Sequence, residues 1–267
     1  MIAFRVLLLT LLALSALAAT DTEAAERVET IPTRPGVSQG LYIVDAEGPP
    51  WATAILYVGG QGNMALNAKG PTDLLGNFLS RITERLSKAG VALVYPDTPS
   101  DHRSGYGNFR SDPAHATDAA AILAWWRERS ETPVFVIGTS RGTISAASIG
   151  AALAPGTIAG VALTSSVTRR NRSALEAIDG KALERIGVPV LVMANRDDRC
   201  DVTPPSDVPK LIDGLKNAPA KKAVVLSGGL PPTAGPCDGK SAHGYYGLED
   251  EATRALVDWM KSVVAAR

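Results

Sequence analysis

The chain has 267 residues, 45% of them hydrophobic and 20% charged, with 27 basic side chains set against 27 acidic ones. That balance excludes a polycation built for nucleic acid and a basic surface built for an anionic membrane. The apolar fraction excludes a disordered chain, and the length suits one large α/β domain.

Arg5 precedes an apolar run over residues 6–18 that closes on Ala16-Leu17-Ala18. A basic start, a short apolar stretch and a small-residue site make the pattern of a secretory signal peptide over residues 1–18. The alternative is an uncleaved anchor, but the run falls short of the roughly 20 residues that a span needs. Cleavage near Ala18 removes one basic residue and leaves a formal charge of −1. The mature protein is then exported, to a periplasm or outside the cell, with no membrane attachment. Residues 19–35 are polar, charged and proline-containing, and are expected to form a flexible leader. Residues 36–267 are expected to fold as a single domain.

Strands are predicted at residues 41–44 and 52–58, the second ending at Gly59-Gly60. Leu74, Leu75, Phe78, Leu79, Ile82 and Leu86 recur at a helical period and predict a helix over 72–88. A strand over 91–95 is closed by Pro96, and a helix follows over 114–129. Further strands are predicted at 133–137, 158–164, 188–194 and 223–226, with helices at 205–215 and 248–264. Strands alternating with helices predict a mostly parallel central sheet with helices on both faces. Residues 165–187 have room for one short helix, around 173–184, and none for a large lid. The site should therefore be open unless residues 99–113 cover it.

The most telling stretch is Gly138-Thr139-Ser140-Arg141-Gly142. An apolar strand precedes it and a small-residue helix follows. Strand, Gly-x-Ser-x-Gly, helix is the nucleophile elbow, in which a strained turn lifts the serine hydroxyl clear of the sheet. Glycines on either side let backbone approach that turn. A serine hydroxyl needs a base within hydrogen-bond reach and an acid to orient the base. Of the three histidines, His243 lies between the last strand and the last helix, at the sheet edge where the elbow emerges. His115, near a helix start, reads as a surface or capping residue, and His102 sits in a polar loop where it could touch substrate. The strand at 188–194 runs into Asn195-Arg196-Asp197-Asp198. Asp198 is the favoured acid and Asp197 the alternative.

Ser140, Asp198 and His243 occur in the order expected of an α/β-hydrolase. The chain resembles that superfamily over nearly all of its mature length. Its members carry the acid in a Pro-x-apolar-x-x-x-Gly-x-x-Asp pattern. Pro189 to Asp198 matches this, with Asn195 in place of the glycine. The elbow and Asp198-Arg199-Cys200 also resemble an exported, poorly characterised subgroup.

Two cysteines, Cys200 and Cys237, in an exported chain predict one disulfide. It would tie the acid loop to the histidine loop and stabilise the fold by about 4 kcal/mol. Acyl transfer also needs backbone N–H donors for the developing oxyanion. Arg141, next after the serine, supplies one. The second comes from Gly60 or Gln61, in a loop resembling the His-Gly-Gly loops of the superfamily with Val58 in the histidine position. Arg169, Arg170 and Arg172 fall on the rim, with Arg141, Arg196 and Arg199 nearby. They read either as a solvated surface paired with Asp197, Asp201 and Asp207 or as a preference for an acidic substrate. No cofactor and no metal is expected, since the histidines and cysteines lack ligand spacing. The expected function is hydrolysis of a carboxylic ester, small or polymeric. Peptidase or thioesterase activity on the same fold, or a non-catalytic binding protein, are the alternatives. The sequence leaves the oligomeric state open.

Overall fold

The computed structural model describes residues 24–267 with the exception of Ser173, so the predicted signal peptide lies outside the described residues. The apolar runs form β1 (Glu26–Arg34), β2 (Val37–Val44), β3 (Ala52–Tyr57), β4 (Val91–Pro99), β5 (Val134–Thr139), β6 (Gly160–Thr164), β7 (Val190–Asn195) and β8 (Lys221–Leu226). They make one sheet of eight strands in the order β1-β2-β4-β3-β5-β6-β7-β8. β1 pairs with β2 and β2 with β4 antiparallel, and every other pair is parallel. Around the sheet lie α1 (Phe78–Arg81), α2 (Thr83–Lys88), α3 (Pro113–Arg127), α4 (Gly142–Ala152), α5 (Gly180–Arg185), α6 (Val208–Gly214) and α7 (Glu249–Ala265).

Successive side chains of a strand point to opposite faces, and here both faces are covered. On β5, Val134 and Val136 join one core while Phe135 and Ile137 join the other. β7 divides the same way, Val190 and Val192 against Leu191 and Met193. The first core takes Ile122 and Trp126 from α3, Ala146 and Ile149 from α4, and Leu211 from α6. The second takes Phe78 from α1, Leu86 from α2, and Leu256 and Trp259 from α7. Parallel strands send their carboxyl ends to one edge, and the loops after β3, β5, β6 and β7 gather there. Among the described residues, the crossover from β6 to β7 holds no helix other than α5 and no inserted lid.

Three expectations need correction. Residues 26–34, read as part of a flexible leader, are the edge strand β1, paired with β2 along its length. An edge strand buries few side chains, and in β1 these are Ile31 and Thr33, so its composition mimics a linker. Pro32 is tolerated there because an outer strand can spare an N–H. The helix expected over 72–88 is two short helices that begin at Phe78. The Asn77 carboxamide caps α1 by accepting from the Leu79 N–H at 3.1 Å, which overrides the periodic Leu74 and Leu75 upstream. β4 continues past Pro96 to Pro99 because β3 pairs only with Val91–Val94, leaving the later residues with β2 alone.

β1 is also fastened through its last residue. Arg34 Nε donates to Asp118 Oδ1 at 2.8 Å and Nη2 to Oδ2 at 3.1 Å, and both terminal nitrogens reach Asp101 at 3.0 Å. The Asp118 side chain is 1% exposed, so removing its partner would strand a buried carboxylate. Arg34→Ala should cost about 3 kcal/mol of folding free energy. A urea unfolding midpoint equal to that of wild type would show that β1 is not an integral part of the sheet.

Candidate active site

Ser140 follows the last residue of β5 with φ at +64°, in the left-handed region that side chains avoid. Such a conformation costs on the order of 1–3 kcal/mol and persists only where its surroundings enforce it. Here they do. The Ser140 N–H donates to Thr164 O at 3.0 Å, and Ser140 O accepts from the Thr143 N–H at 2.9 Å and the Thr143 hydroxyl at 2.6 Å. Backbone also crowds the turn. A Cβ on Gly142 would fall 1.9 Å from Tyr57 O, one on Gly138 2.2 Å from Gly142 O, and one on Gly59 2.9 Å from Ser140 Cβ. Each of these positions admits only glycine.

His243 sits in a single 3₁₀ turn, Ala242–Gly244, between β8 and α7. The Ser165 hydroxyl donates to its carbonyl at 2.7 Å, and the Ser241 hydroxyl accepts from its N–H at 3.2 Å. Arg81 donates to Gly239 O at 2.8 Å and Gly244 O at 2.6 Å, clamping the segment before the turn and the turn's last residue to α1. Tyr245 is fully buried, and its hydroxyl donates to Met193 O at 2.9 Å while accepting from the Ser165 N–H at 3.1 Å.

These supports bring three side chains into line. His243 Nε2 lies 2.9 Å from Ser140 Oγ, and Nδ1 lies 2.9 Å from Asp198 Oδ2. With the Nδ1 proton directed at the carboxylate, Nε2 is left to accept from the serine hydroxyl. Asp198 Oδ1 accepts from the Cys200 N–H at 2.8 Å and Oδ2 from the Thr203 hydroxyl at 2.9 Å. Thr203 also lies 3.0 Å from Nδ1, bridging acid and imidazole. Asp197 takes no part in this chain. It is exposed, and its Oδ2 accepts from the Gly228 N–H at 2.7 Å, holding the start of the histidine loop. Cys200 and Cys237 are disulfide-bonded, joining the acid loop to the histidine loop as expected.

A cavity of about 30 Å³ opens at Ser140, lined among others by Gly60, Asn77, Cys237, Gly239 and His243. Among the described residues, the backbone N–H groups of Gly60, Gln61 and Arg141 have no hydrogen-bond acceptor. Residues 99–113 do not line this cavity. They buttress its loops from behind: the Tyr106 N–H donates to Gln61 O at 2.8 Å, and Gly107 O accepts from the Arg141 guanidinium at 2.8 Å. Arg169, Arg170 and Arg172 are exposed and lie outside the cavity lining. Arg169 is engaged by both oxygens of Asp207, at 3.1 and 3.2 Å, as the solvated-surface reading expects.

His115 corrects another expectation. It is 1% exposed, neither of its ring nitrogens has a hydrogen-bond partner, and Tyr57, Tyr106 and Phe109 pack edge-on around it. Burial, helped by the Arg110 and Arg34 charges, pushes its pKa down to about 3. Among the side chains missed in the sequence, Thr203 and Arg81 carry no motif. Asn77 had a local signal, a capping residue after Gly76, but nothing there points to the serine.

In structure, the chain is similar to Est1E from Butyrivibrio proteoclasticus, with a TM-score of 0.61 and 16% identity, over 90% of this chain and 99% of that one. It is also similar to the Pyrococcus furiosus esterase Pf2001, with a TM-score of 0.66 and 14% identity, covering 92% and 94%. The fold is that of the α/β-hydrolases. A third α/β-hydrolase neighbour is XC6422 from Xanthomonas campestris, a serine hydrolase described as without lid, with a TM-score of 0.55 and 15% identity, covering 88% and 95%. No family model matches the chain, and no curated protein matches it in sequence.

The glycine constraint at this elbow gives a direct test. Gly142→Ala places a methyl group into the Tyr57 carbonyl, a backbone atom that cannot rotate away. It should lower stability by about 3 kcal/mol or more, read from the thermal midpoint, and an unshifted midpoint would refute the close approach of α4 to β3.

Proposed function

We propose that this chain is an exported serine hydrolase acting on carboxylic esters. The observation that carries the reading is the hydrogen-bonded chain Ser140–His243–Asp198, seated on a strained turn at the carboxyl edge of the sheet. Its support from relatives is that the structural neighbour Pf2001 is named an esterase and XC6422 a serine hydrolase. The chain in which export is proposed also carries a disulfide, the kind of bond that an oxidising compartment preserves.

Ser140 Oγ attacks the ester carbonyl carbon while His243 Nε2 takes the hydroxyl proton. The C–O double bond opens, and its electron pair moves to the carbonyl oxygen. The N–H groups of Arg141 and of Gly60 or Gln61 meet that negative charge. The intermediate collapses, the bond to the alcohol oxygen breaks, and His243 returns the proton to the leaving alkoxide. Water then attacks the acyl-enzyme, giving its proton to His243, and the acid is released as Ser140 regains a proton. Asp198 keeps the imidazole in the tautomer that leaves Nε2 free, and stabilises the imidazolium formed in each half-reaction. Without a lid, the site admits an ester carried on a small molecule or on a larger one.

Fluorophosphonate labelling is the test. The mature wild type should label, and Ser140→Ala and His243→Ala should not. Failure of the oxidised wild type to label would favour a binding protein on this fold. Among the acids, Asp198→Asn should lower kcat by ~10⁴-fold, as loss of the orienting carboxylate does in serine hydrolases. Asp197→Asn should leave kcat within about three-fold of wild type, and the reverse ranking would reassign the acid.

The disulfide yields a separate expectation. Residues 228–247 form a long loop rich in glycine and proline, costly to order. The bridge closes it against Cys200, two residues beyond Asp198. In a reductant titration, ester turnover should fall while near-ultraviolet circular dichroism is still native. Coincident loss of both signals would mean that the bridge holds up the whole domain and not the site in particular.

A further inference from the structure

Arg110 is the bulkiest of the fully buried side chains, at 0% exposure. Among the described residues it makes no ion pair, and its guanidinium lies over the Tyr106 ring at 4.5 Å from the centroid. Burial lowers its pKa to about 10, which leaves it charged at neutral pH. A desolvated cation with no carboxylate in direct contact, Glu176 acting on it only at longer range, is an expensive way to fill space, and an apolar side chain of similar volume would pack there at less cost. Its hydrogen bonds suggest another purpose. Nη1 donates to the Ser145 hydroxyl on α4 at 2.8 Å. Nη2 donates to Val58 O at 3.0 Å and Gly60 O at 3.4 Å. Next to it, the Tyr106 N–H holds Gln61 O at 2.8 Å.

A peptide unit is planar and trans, so a carbonyl held in one direction sends the N–H of the same unit in the opposite one. The Gly60 carbonyl shares its unit with the Gln61 N–H, and the Val58 carbonyl shares its unit with the Gly59 N–H. Both carbonyls are drawn to the buried guanidinium. The Gln61 N–H therefore points away from it. The unit between, which carries the Gly60 N–H, is bracketed by two anchored neighbours. Room for this arrangement is made by glycine. A Cβ on Gly62, whose φ is +79°, would lie 2.5 Å from Arg110 Nη2 and 2.4 Å from the Tyr106 ring.

We propose that Arg110 is a positioning residue that aims the Gly60 and Gln61 N–H groups at the carbonyl oxygen of an ester on Ser140, and that it ties this loop to α4 through Ser145. The inference rests on the ester-hydrolase reading. Arg110 touches no substrate. Its effect is on how well the loop meets charge that exists only in the transition state, so it acts on kcat more than on KM.

The experiment compares wild type, Arg110→Lys and Arg110→Gln on a small ester and measures inhibition by an alkyl boronic acid. The boronic acid forms a tetrahedral, negatively charged adduct on serine, one oxygen of which takes the place of the oxyanion. Variants with native circular dichroism should lose about 10- to 100-fold in kcat, within the range for a weakened oxyanion donor. KM should stay within about three-fold, and the boronate inhibition constant should rise in step with the loss of kcat. Lysine should not restore either, because one ammonium cannot reproduce the two-armed geometry. A folded Arg110 variant with wild-type kcat and wild-type boronate affinity overturns the proposal. If neither variant folds, Ser145→Ala decides. It frees the guanidinium from α4 and should lower kcat by about 3- to 10-fold with a matching loss of boronate affinity; no change in either overturns the proposal. A wild type that neither turns over esters nor labels with fluorophosphonate would bring down the ester-hydrolase reading itself, before any Arg110 substitution is made.

Discussion

The approach of α4 to β3 is the contact on which the rest of this molecule depends. Helix α4 starts so close to β3 that the Gly142 Cα leaves no space for a side chain beside Tyr57 O. Ser140 can hold its left-handed backbone only because β5 and α4 are packed in this way, with Gly59 passing beside it. The strain is local and is offset by hydrogen bonds to Thr164 and Thr143. What results is a hydroxyl raised above the sheet edge with its direction settled by the fold, as the proposed reaction would require. Preorganisation of this kind removes reorganisation from the reaction step.

A rigid serine is of use only if the imidazole is equally well placed, and the histidine loop, rich in glycine and proline, is costly to order. Gly228, Gly229 and Gly247 all have positive φ, and the loop contributes little to the two main cores. It is held from three sides. The disulfide reaches it from the acid loop, Arg81 reaches it from α1, and its own Tyr245 hydroxyl reaches Met193 O in β7. Each attachment joins the loop to a different element, so His243 is located by intersection and not by the stiffness of its own segment. Thr203 completes the arrangement by binding acid and imidazole at once.

The interior on the Arg110 side of the sheet holds several polar groups. Arg110, His115, Tyr57 and Tyr106 are all buried there, and burial displaces the pKa of each away from its charged form. A polar interior is hard to assemble, since each unsatisfied group carries a desolvation penalty. It also specifies one arrangement more sharply than an apolar core can, because its members have directional partners. The loop beside Ser140 draws on that directionality: its carbonyls face inward to buried donors while the Gly60 and Gln61 N–H groups stay unpaired.

Much of this was legible in the residues themselves. Alternating apolar runs and helical periods determine a layered α/β architecture, because each buried strand must be covered on both faces. Gly138 and Gly142 around Ser140 announce the tight turn, because no other residue can let the backbones meet. The two cysteines declared their bridge, there being no other partner for either. The edge strand β1 was hidden because an outer strand is held by main-chain hydrogen bonds, which any sequence can make. The sequence favours Asp198 over Asp197 but leaves the alternative open; in the fold it is Asp198 that meets His243 while Asp197 meets Gly228, because the turn after β7 directs adjacent residues different ways. The clamps by Arg81, Thr203 and Arg110 join positions far apart in the chain, and no local pattern encodes them. The sequence by itself determined which chemistry was available and at which edge of the sheet. Only the tertiary structure decided which atoms meet there, because that depends on packing between segments that the linear order does not bring together.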